Sequence, residues 1–430
     1  MSEESSVRER KRQEEVKSPQ ASSSQLADKP WDHRLKEKTP TCWEQYGKYF
    51  WMLLLFESIV LLVGIVAVLS MDSPIKPMRF QFPTARPLEG ALAPNTILQN
   101  AKRLFEGELI GPESLVRLDG KIYTGTYDGK IVRIDDDKMM TTIARLGPPE
   151  YEHTCGRPLG IHVSDYGTLY VIDAYLGLFE VNVTGEYKQL VPSSRLYDGY
   201  PIKFGNDVTR IPDGDFFFTD SDYKWQRRDF LYGLMETSPN GRLLQFNPVS
   251  QATNVTLLDL YSANGIILSP DNDFMLICES TANRILKYYI RGQKSGDKEI
   301  FVDNLPGFPD NIRASSSGGY WVGINFLPLR TGLAPILNFL AERPILRTHL
   351  MKIMKPHFLF QFLPKYGLVI ELNKDGEIIN SLHDPTGEVI DSVSEVLDTG
   401  DALYLGSFKS PFLAKLDYKS KSGKDKLIKS

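Results

Sequence analysis

The feature of this sequence that most constrains its fold is a strand–turn–strand unit that recurs along the chain. Its clearest copy occupies residues 263–278. Apolar residues at 265–268 and 274–278 predict two strands, and the Ser-Pro-Asp-Asn sequence between them favours a turn because proline and Asx residues preset the bend. An asparagine, Asn264, precedes the first strand. Repeats of this kind indicate a chain built mainly from short antiparallel strands.

Five further copies share apolar strands around a turn that contains glycine or aspartate. They occupy residues 115–126, 161–172, 207–219, 312–323 and 396–406. Most copies start roughly 45–60 residues apart, and six such units are typical of a β-propeller with four-stranded blades. A β-sandwich would explain the strands but not the period. The sequence therefore predicts an all-β fold, a six-bladed β-propeller over residues 101–418.

A polar arm and a long apolar segment precede the repeats. Residues 1–48 are mostly charged or small polar residues, which predicts a disordered cytosolic tail. Residues 49–71 are apolar except for a few positions such as Glu57, and they match the length of a helix that crosses a bilayer. A buried core helix is the alternative, but soluble helices of this length normally have a polar face. We predict a single transmembrane helix at 49–71 and a Pro-rich linker at 72–100.

The orientation of this helix depends on weak signals. Basic residues flank both ends, so the positive-inside bias is slight. The sequons at Asn182 and Asn254 both follow the helix, and they can be glycosylated only on the lumenal or extracellular side. These signals predict a single-pass type II protein of the plasma membrane or an endomembrane, with the propeller outside the cytosol.

Charge and cysteine content exclude two features, a nucleic acid partner and a disulfide scaffold. The formal net charge of −4 leaves no basic excess to neutralise phosphates, so no nucleic acid partner is expected. Three cysteines are too few for a disulfide scaffold, and a Cys155–Cys278 disulfide is possible but not required.

One insertion interrupts the repeats at residues 325–365 and is rich in Leu, Phe, Ile and Pro. Helical spacing of apolar residues, such as Leu337 with Leu340, predicts one or two short amphipathic helices. These helices are expected to form a lid over the channel mouth, to rest on the membrane or to pack against the propeller rim. Residues 419–430 are predicted to be a C-terminal tail.

Polar side chains recur where the innermost strand of each blade begins. This position holds Glu113, Leu159, Asn206, Asn264 and Asn311 in the first five copies, and Asp310 precedes the last of them. Propeller geometry brings these positions together at the central channel. Converging carboxylates with no Lys or Arg at the same position are costly unless a cation lies among them. A set of carboxylate and carboxamide oxygens suits Ca²⁺ better than Mg²⁺ or Zn²⁺. The alternative is that these side chains cap strand ends through backbone hydrogen bonds.

Several longer segments resemble the strictosidine synthase-like family of six-bladed propellers. They are residues 109–114 (LIGPES), 155–161 (CGRPLGI), 220–229, 306–313 (PGFPDNIR), 315–323 and 405–412 (LGSFKSPF). The chain is more distantly similar to the paraoxonases and the senescence-marker lactonases, whose calcium ligands fall on Glu113, Asn206, Asn264, Asp310 and Asn311. The resemblance implies a membrane-anchored, Ca²⁺-dependent hydrolase of the arylesterase or lactonase type. Its substrates would be small hydrophobic or aryl esters and lactones, and Asp310 and Asp207 are the candidate general bases.

Two departures from these families keep other functions open. Leu159 stands where paraoxonases have a catalytic histidine, so their histidine-dyad mechanism does not transfer. The glutamate that strictosidine synthases use to condense an amine with an aldehyde matches Glu395 in this chain. An amine–aldehyde condensing enzyme and a non-catalytic, membrane-tethered binding platform are therefore the alternatives to a hydrolase.

Overall fold

The computed structural model describes residues 41–84, 86–164, 166–327, 334–361, 363 and 365–419. Most of the predicted N-terminal tail (residues 1–40) and the predicted C-terminal tail beyond residue 419 lie outside the described residues.

The first element is helix α1 (Cys42–Ser70), which begins seven residues before the predicted start at 49. Thr41 and Glu44 explain the earlier start, because each side chain accepts a hydrogen bond from the other residue's backbone N–H, at 2.8 and 3.3 Å. The helix has a mean hydropathy of 2.8 over its most apolar 18 residues, and those residues are unburied. It is the one helix in the described part of the chain that is long and apolar enough to span a membrane.

Six four-stranded antiparallel sheets follow within the described residues, which confirms the predicted six-bladed β-propeller. The first strand of the propeller is β1 (Lys102–Leu104). The first blade then contains β2 (Leu115–Leu118), β3 (Lys121–Gly125), β4 (Lys130–Asp136) and β5 (Met139–Arg145). The second and third blades contain β6 (Pro158–Val163), β7 (Leu169–Asp173), β8 (Gly177–Val181), β9 (Tyr187–Pro192), β10 (Gly205–Arg210), β11 (Phe216–Asp220), β12 (Gly241–Asn247) and β13 (Ala252–Leu260).

The remaining blades continue the same order. The fourth and fifth contain β14 (Ala263–Leu268), β15 (Phe274–Glu279), β16 (Arg284–Tyr289), β17 (Lys298–Val302), β18 (Pro309–Ala314), β19 (Tyr320–Ile324), β20 (Gly367–Leu372) and β21 (Ile378–Asp384). The sixth contains β22 (Glu395–Asp398), β23 (Ala402–Gly406) and β24 (Leu413–Asp417), and β1 pairs with β24 as its outermost strand. The N-terminal strand thus closes the ring and covers the edge of the last blade.

Tight turns within the blades and apolar packing between the blades stabilise the propeller. Asp119 and Gly120 adopt positive φ angles of 50° and 79°, which is the conformation that a tight hairpin between β2 and β3 requires. Apolar side chains of adjacent sheets interdigitate, as where Ile172 of the second blade packs with Phe216 and Phe218 of the third. The first strands of the six blades contact one another in a ring, so they surround a central channel.

The predicted linker is an ordered part of the second compact unit of the chain, which starts at Ile65. Ile75 is 1% exposed and packs with Met235, Leu340 and Met351. Backbone hydrogen bonds fix the same segment, including one from Phe80 N to Ala341 O at 3.0 Å. Two 3₁₀ turns, Gly90–Leu92 and Ile97–Asn100, follow it. Apolar residues scattered among the prolines anchor this segment.

The described residues contain five short α-helices besides α1. They are α2 (Glu152–Cys155), α3 (Phe230–Glu236), α4 (Ala334–Ala341), α5 (Pro344–Ile353) and α6 (His357–Phe360). The last three belong to the predicted insertion and comprise two amphipathic helices and one helical turn. Cys155 and Cys278 are both buried and free, so they form no disulfide.

Candidate metal centre

The innermost strands of blades two to five share one irregularity. In each strand, two consecutive residues lie opposite a single residue of the neighbouring strand, which is a β-bulge. These pairs are Leu159-Gly160, Asn206-Asp207, Asn264-Gly265 and Asp310-Asn311. A bulge redirects side chains, and the first residue of every pair lines one cavity in the central channel.

Two glycines at the second bulge position let neighbouring strands approach closely. A Cβ atom on Gly160 would lie 2.5 Å from the Cα of Asp207, and one on Gly265 would lie 2.5 Å from the Cα of Asn311. Any larger residue would push these strands apart. The glycines therefore help to draw the polar side chains of adjacent blades around one point.

The cavity has a volume of about 70 Å³, which is enough for an ion with one or two small groups beside it. Its polar lining includes Glu113, Asn206, Asn264, Asp310 and Asn325. Its apolar lining is largely aromatic and includes Phe204, Phe230, Phe308, Phe326 and Phe408. The rings of Phe326 and Phe408 lie 5.9 Å apart between centroids, in edge-to-face contact. Polar and aromatic groups thus line the same small space.

Serine side chains fix the orientation of two of the asparagine amides. Ser221 Oγ lies 2.5 Å from the carbonyl oxygen of Ala263 and 3.0 Å from Asn206 Nδ2. A hydroxyl has one proton, and because the carbonyl can only accept it, the serine must accept from the amide N–H. Asn264 repeats this arrangement with Ser280, which donates to a backbone carbonyl of β18 at 2.6 Å. The amide oxygens of Asn206 and Asn264 therefore point away from their serines.

Two further asparagines direct their N–H groups to carboxylates. Asn311 Nδ2 lies 3.1 Å from Glu113 Oε1, and Asn325 Nδ2 lies 2.8 Å from Asp310 Oδ2. Both carboxylates act as acceptors here, so the asparagine oxygens face elsewhere.

Five buried oxygens from these residues have no hydrogen-bond partner among the described residues. They are Glu113 Oε2 and the Oδ1 atoms of Asn206, Asn264, Asn311 and Asn325. Four of these residues line the cavity, and Asn311 lies beside it, bonded to Glu113. A buried unpaired polar atom costs about 1–3 kcal/mol, so five such atoms at and beside one cavity need a common explanation. Oxygen ligands of mixed charge are the preferred environment of Ca²⁺, and this donor set fits that ion. The described residues contain no cluster of three or more His, Cys, Asp or Glu that could hold a metal, so the amide oxygens are essential to such a site.

The two carboxylates of the cavity resist ionisation. Burial raises the pKa of Glu113 to about 7, an effect that Arg157 partly offsets and Asp207 reinforces. Burial and then repulsion by Glu113 raise the pKa of Asp310 well above its usual range. Each carboxyl group is therefore stabilised by a proton or by a cation.

Asp207, the second candidate base, belongs to a different cluster. Both of its oxygens contact Arg313, at 2.7 and 3.1 Å, and its carboxylate also accepts the backbone N–H groups of Val208 and Ile266. The same guanidinium lies 3.0 Å from Glu395 Oε2. Asp207 is not among the described residues that line the cavity, so the structure does not support it as a general base.

Glu395, the candidate residue for amine–aldehyde condensation, is fully buried in this ion-paired cluster. It is likewise absent from the described lining of the cavity, as is every histidine. The arrangement therefore supports neither a condensation through Glu395 nor a histidine dyad.

Sequence reasoning missed the residues that follow the second strand of three blades. Ser221, Ser280 and Asn325 come directly after β11, β15 and β19. Aligning the repeats on the end of the second strand, as well as on the start of the first, would have found them.

The two predicted glycosylation sites lie away from the cavity. Asn182 is in the turn after β8, and Asn254 is exposed on the outer strand β13. Asn182 is half-buried, and its amide donates a hydrogen bond to Glu186 Oε2 at 2.9 Å. Glycosylation at both positions stays a prediction.

Comparisons with known proteins agree with this fold. The strictosidine synthase family model matches residues 206–293, and the model for the N-terminal part of strictosidine synthase-like proteins matches residues 90–134. A gluconolactonase from Xanthomonas campestris has a similar fold, with a TM-score of 0.50 at 15% identity over 81% of this chain and 98% of that one.

Full-length relatives are more similar. The chain is 45% identical to the adipocyte plasma membrane-associated protein of Danio rerio over 379 residues, which cover 86% of this chain and 91% of that protein. It is 43% identical to the Homo sapiens protein of the same name over 378 residues, or 86% of this chain and 90% of the relative. The chain therefore belongs to the adipocyte plasma membrane-associated protein family and contains strictosidine synthase-like domains.

Proposed function

We propose that this protein is a membrane-anchored, Ca²⁺-dependent hydrolase of carboxylic esters or lactones with small aryl or other hydrophobic groups. The observation that carries the proposal is a group of unpaired buried oxygens, four in one cavity with an aromatic wall and a fifth, Asn311 Oδ1, beside it. A lactone is also the substrate type named for the gluconolactonase that shares the fold.

Five residues would hold the cation, namely Glu113, Asn206, Asn264, Asp310 and Asn311. Asn325 adds a further unpaired oxygen at the same cavity. When bound, the cation supplies positive charge that polarises a carbonyl group and stabilises the oxyanion formed at it. Ser221 and Ser280 also line the cavity and fix the orientation of the amide groups of Asn206 and Asn264, so little reorganisation would accompany binding.

Asp310 is the general base in this proposal. It lines the cavity and accepts the amide N–H of Asn325 on one of its oxygens, at 2.8 Å. A carboxylate at this place can take a proton from a water molecule that attacks the ester carbon. The proton then passes to the leaving alkoxide or phenoxide, which restores the carboxylate.

The aromatic wall accounts for the substrate class. Phe230, Phe326 and Phe408 offer edges and faces to a flat apolar group, with Phe408 6.4 Å from Phe230 and 5.9 Å from Phe326. Only one basic side chain, Arg227, is among the described lining residues, and it is paired with Glu152. The cavity therefore favours uncharged substrates.

Hydrolysis of phenyl acetate and of an aromatic lactone by the detergent-solubilised full chain tests this function. Removal of divalent ions by EDTA should abolish turnover, calcium should restore it, and Asn264→Ala should remove it. Asn254→Ala is the matched control, because that asparagine is exposed on β13. Turnover that survives both EDTA and Asn264→Ala would reject the metal-dependent mechanism. Absence of turnover in a calcium-loaded protein would favour the non-catalytic binding platform.

We also propose the type II orientation, with the propeller outside the cytosol. Both sequons support it, since Asn254 is exposed on β13 and Asn182 is half-buried in a surface turn. Glycosidase treatment should lower the apparent mass of the protein from animal cells, and Asn182→Gln with Asn254→Gln should remove the shift. A cytosolic propeller would show no glycan at either site.

A further inference from the structure

The insertion helices carry a dense group of exposed apolar side chains. We call this group the insertion surface, and its members are Ile336, Phe339, Ile345, Leu346, Ile353 and Phe358. Ile345 is the most exposed, with 75% of its surface accessible. Such concentration in about 25 residues is unusual for a surface that faces only water, and it indicates a binding surface.

Both long helices of the insertion have two distinct faces. In α5, Leu346 and Ile353 lie seven residues apart on an exposed side, whereas Arg347 and Met351 are buried. In α4, the exposed Phe339 is followed by the buried Leu340. The buried faces are used by the propeller and by the segment around Ile75, so the exposed faces are left for an external partner.

Contacts at the end of α1 identify that partner. Lys352 Nζ donates to the carbonyl oxygen of Leu69 at 3.1 Å, and Ser73 Oγ donates to the carbonyl oxygen of Thr348 at 3.1 Å. Leu69 belongs to the last turn of the apolar helix. Where a transmembrane helix ends, the membrane surface begins, so α5 lies at the depth of that surface.

The charges on the insertion agree with a lipid partner. Arg343, Lys352 and Lys355 accompany the apolar residues, and Glu342 is the acidic residue among the described positions 334–361. Apolar side chains flanked by basic ones are typical of helices that lie in the interface of a bilayer.

We propose that α4 and α5 rest on the membrane that α1 spans, with the insertion surface inserted among the lipid headgroups and upper acyl chains. The partner is a lipid bilayer, and the contact is continuous with the end of the membrane helix.

Spin labels on the full chain in nanodiscs of phosphatidylcholine with phosphatidylserine test this proposal. Labels at Ile345→Cys and Ile353→Cys would be compared with a label at Val249→Cys, which is 92% exposed on the loop between β12 and β13. Cys42→Ser removes the exposed cysteine from all three variants, and the two remaining cysteines are buried. Oxygen dissolves in the acyl region and a nickel chelate stays in water, so collision with each reports the surroundings of the label.

The expected result is a several-fold higher ratio of oxygen to nickel accessibility at positions 345 and 353 than at 249. Nickel accessibility at 345 equal to that at 249 would overturn the proposal, because the surface would then face water. Shielding from both reagents would also overturn it, because a protein partner would then cover the surface. The readout requires neither calcium nor hydrolysis, so it stands apart from the proposed activity.

Discussion

Two groups of buried carboxylates lie in or just before the inner strands of this propeller, and they are neutralised differently. Asp207 and Glu395 both contact Arg313, a cation that the chain itself provides from β18. Glu113 and Asp310 receive amide N–H groups from Asn311 and Asn325 instead.

The difference separates a structural cluster from a candidate functional one. Asn206 and Asp207 are neighbours in one β-bulge, yet the first lines the cavity and the second joins the ion-paired cluster. Where an arginine is present, the hydrogen-bond capacity of Asp207 is used. Where none contacts the cavity oxygens, five stay unpaired among the described residues. A bound divalent cation would neutralise the carboxylates of the cavity, as Arg313 neutralises Asp207 and Glu395.

Removing Arg313 should have the largest effect. Arg313→Met leaves Asp207 and Glu395 buried without a cation, which should lower the free energy of unfolding by about 3–5 kcal/mol. Urea denaturation measures the loss. Arg291→Met is the control, since its exposed pair with Asp213 should contribute less than about 1 kcal/mol. An equal loss in the free energy of unfolding for the two variants would show that Arg313 does not neutralise a buried cluster.

Replacing one cavity asparagine should weaken calcium binding without unfolding the protein. Asn264→Leu should raise the calcium dissociation constant about 100-fold, because it removes an oxygen ligand from the set. Isothermal titration calorimetry measures the change. The EDTA-treated variant should be as stable as the wild type, because Leu159 shows that a leucine fits the equivalent bulge position. Loss of stability with unchanged calcium affinity would make Asn264 structural.

The cavity should also make stability depend on pH in a metal-dependent way. Glu113 has a pKa of about 7 in the folded protein against an ordinary 4.5, so the folded state holds the proton more tightly. This contribution is fully present below about pH 4.5 and is lost as pH rises through about 7. The difference between the two pKa values corresponds to about 3 kcal/mol.

Melting temperatures in EDTA and in calcium, at about pH 5.5 and about pH 8, test this dependence. Calcium should stabilise the protein much more at the higher pH, where it replaces the lost proton. Glu113→Gln should reduce the pH response in EDTA by the share that Glu113 contributes, while other buried carboxyl groups with raised pKa values, such as Asp310, keep the rest. A calcium effect of equal size at both pH values would contradict the assignment of Glu113 as a ligand.

The smallest effect on calcium affinity is expected from a serine that orients one of the ligands. Ser280→Ala removes the acceptor that holds the Asn264 amide, so calcium affinity should fall about 10-fold while Asn264 remains in place. Ser250→Ala, on an exposed turn, is the matched control. Unchanged affinity in Ser280→Ala would show that the serine does not orient the amide.

The repeat pattern was sufficient to predict the propeller, because each copy contains its own strand and turn signals. It also placed Glu113, Asn206, Asn264 and Asp310 around one channel, since rotational symmetry brings equivalent positions together. Asn311 lies beside them, bonded to Glu113.

Contacts between side chains that are far apart in the sequence could not be predicted. Arg313 is 106 positions from Asp207, and no local pattern shows that the two side chains meet. The segment around Ile75 was predicted to be a linker because it is rich in proline, whereas a few buried apolar residues decide its packing.

The most direct test of the central claim is calcium titration of the full chain after EDTA treatment, compared with an Asn206→Leu, Asn264→Leu double variant. Isothermal titration calorimetry should show one calcium ion bound per wild-type chain and no measurable binding by the folded double variant. No calcium binding by the wild type, or binding that survives the double substitution, would contradict the account.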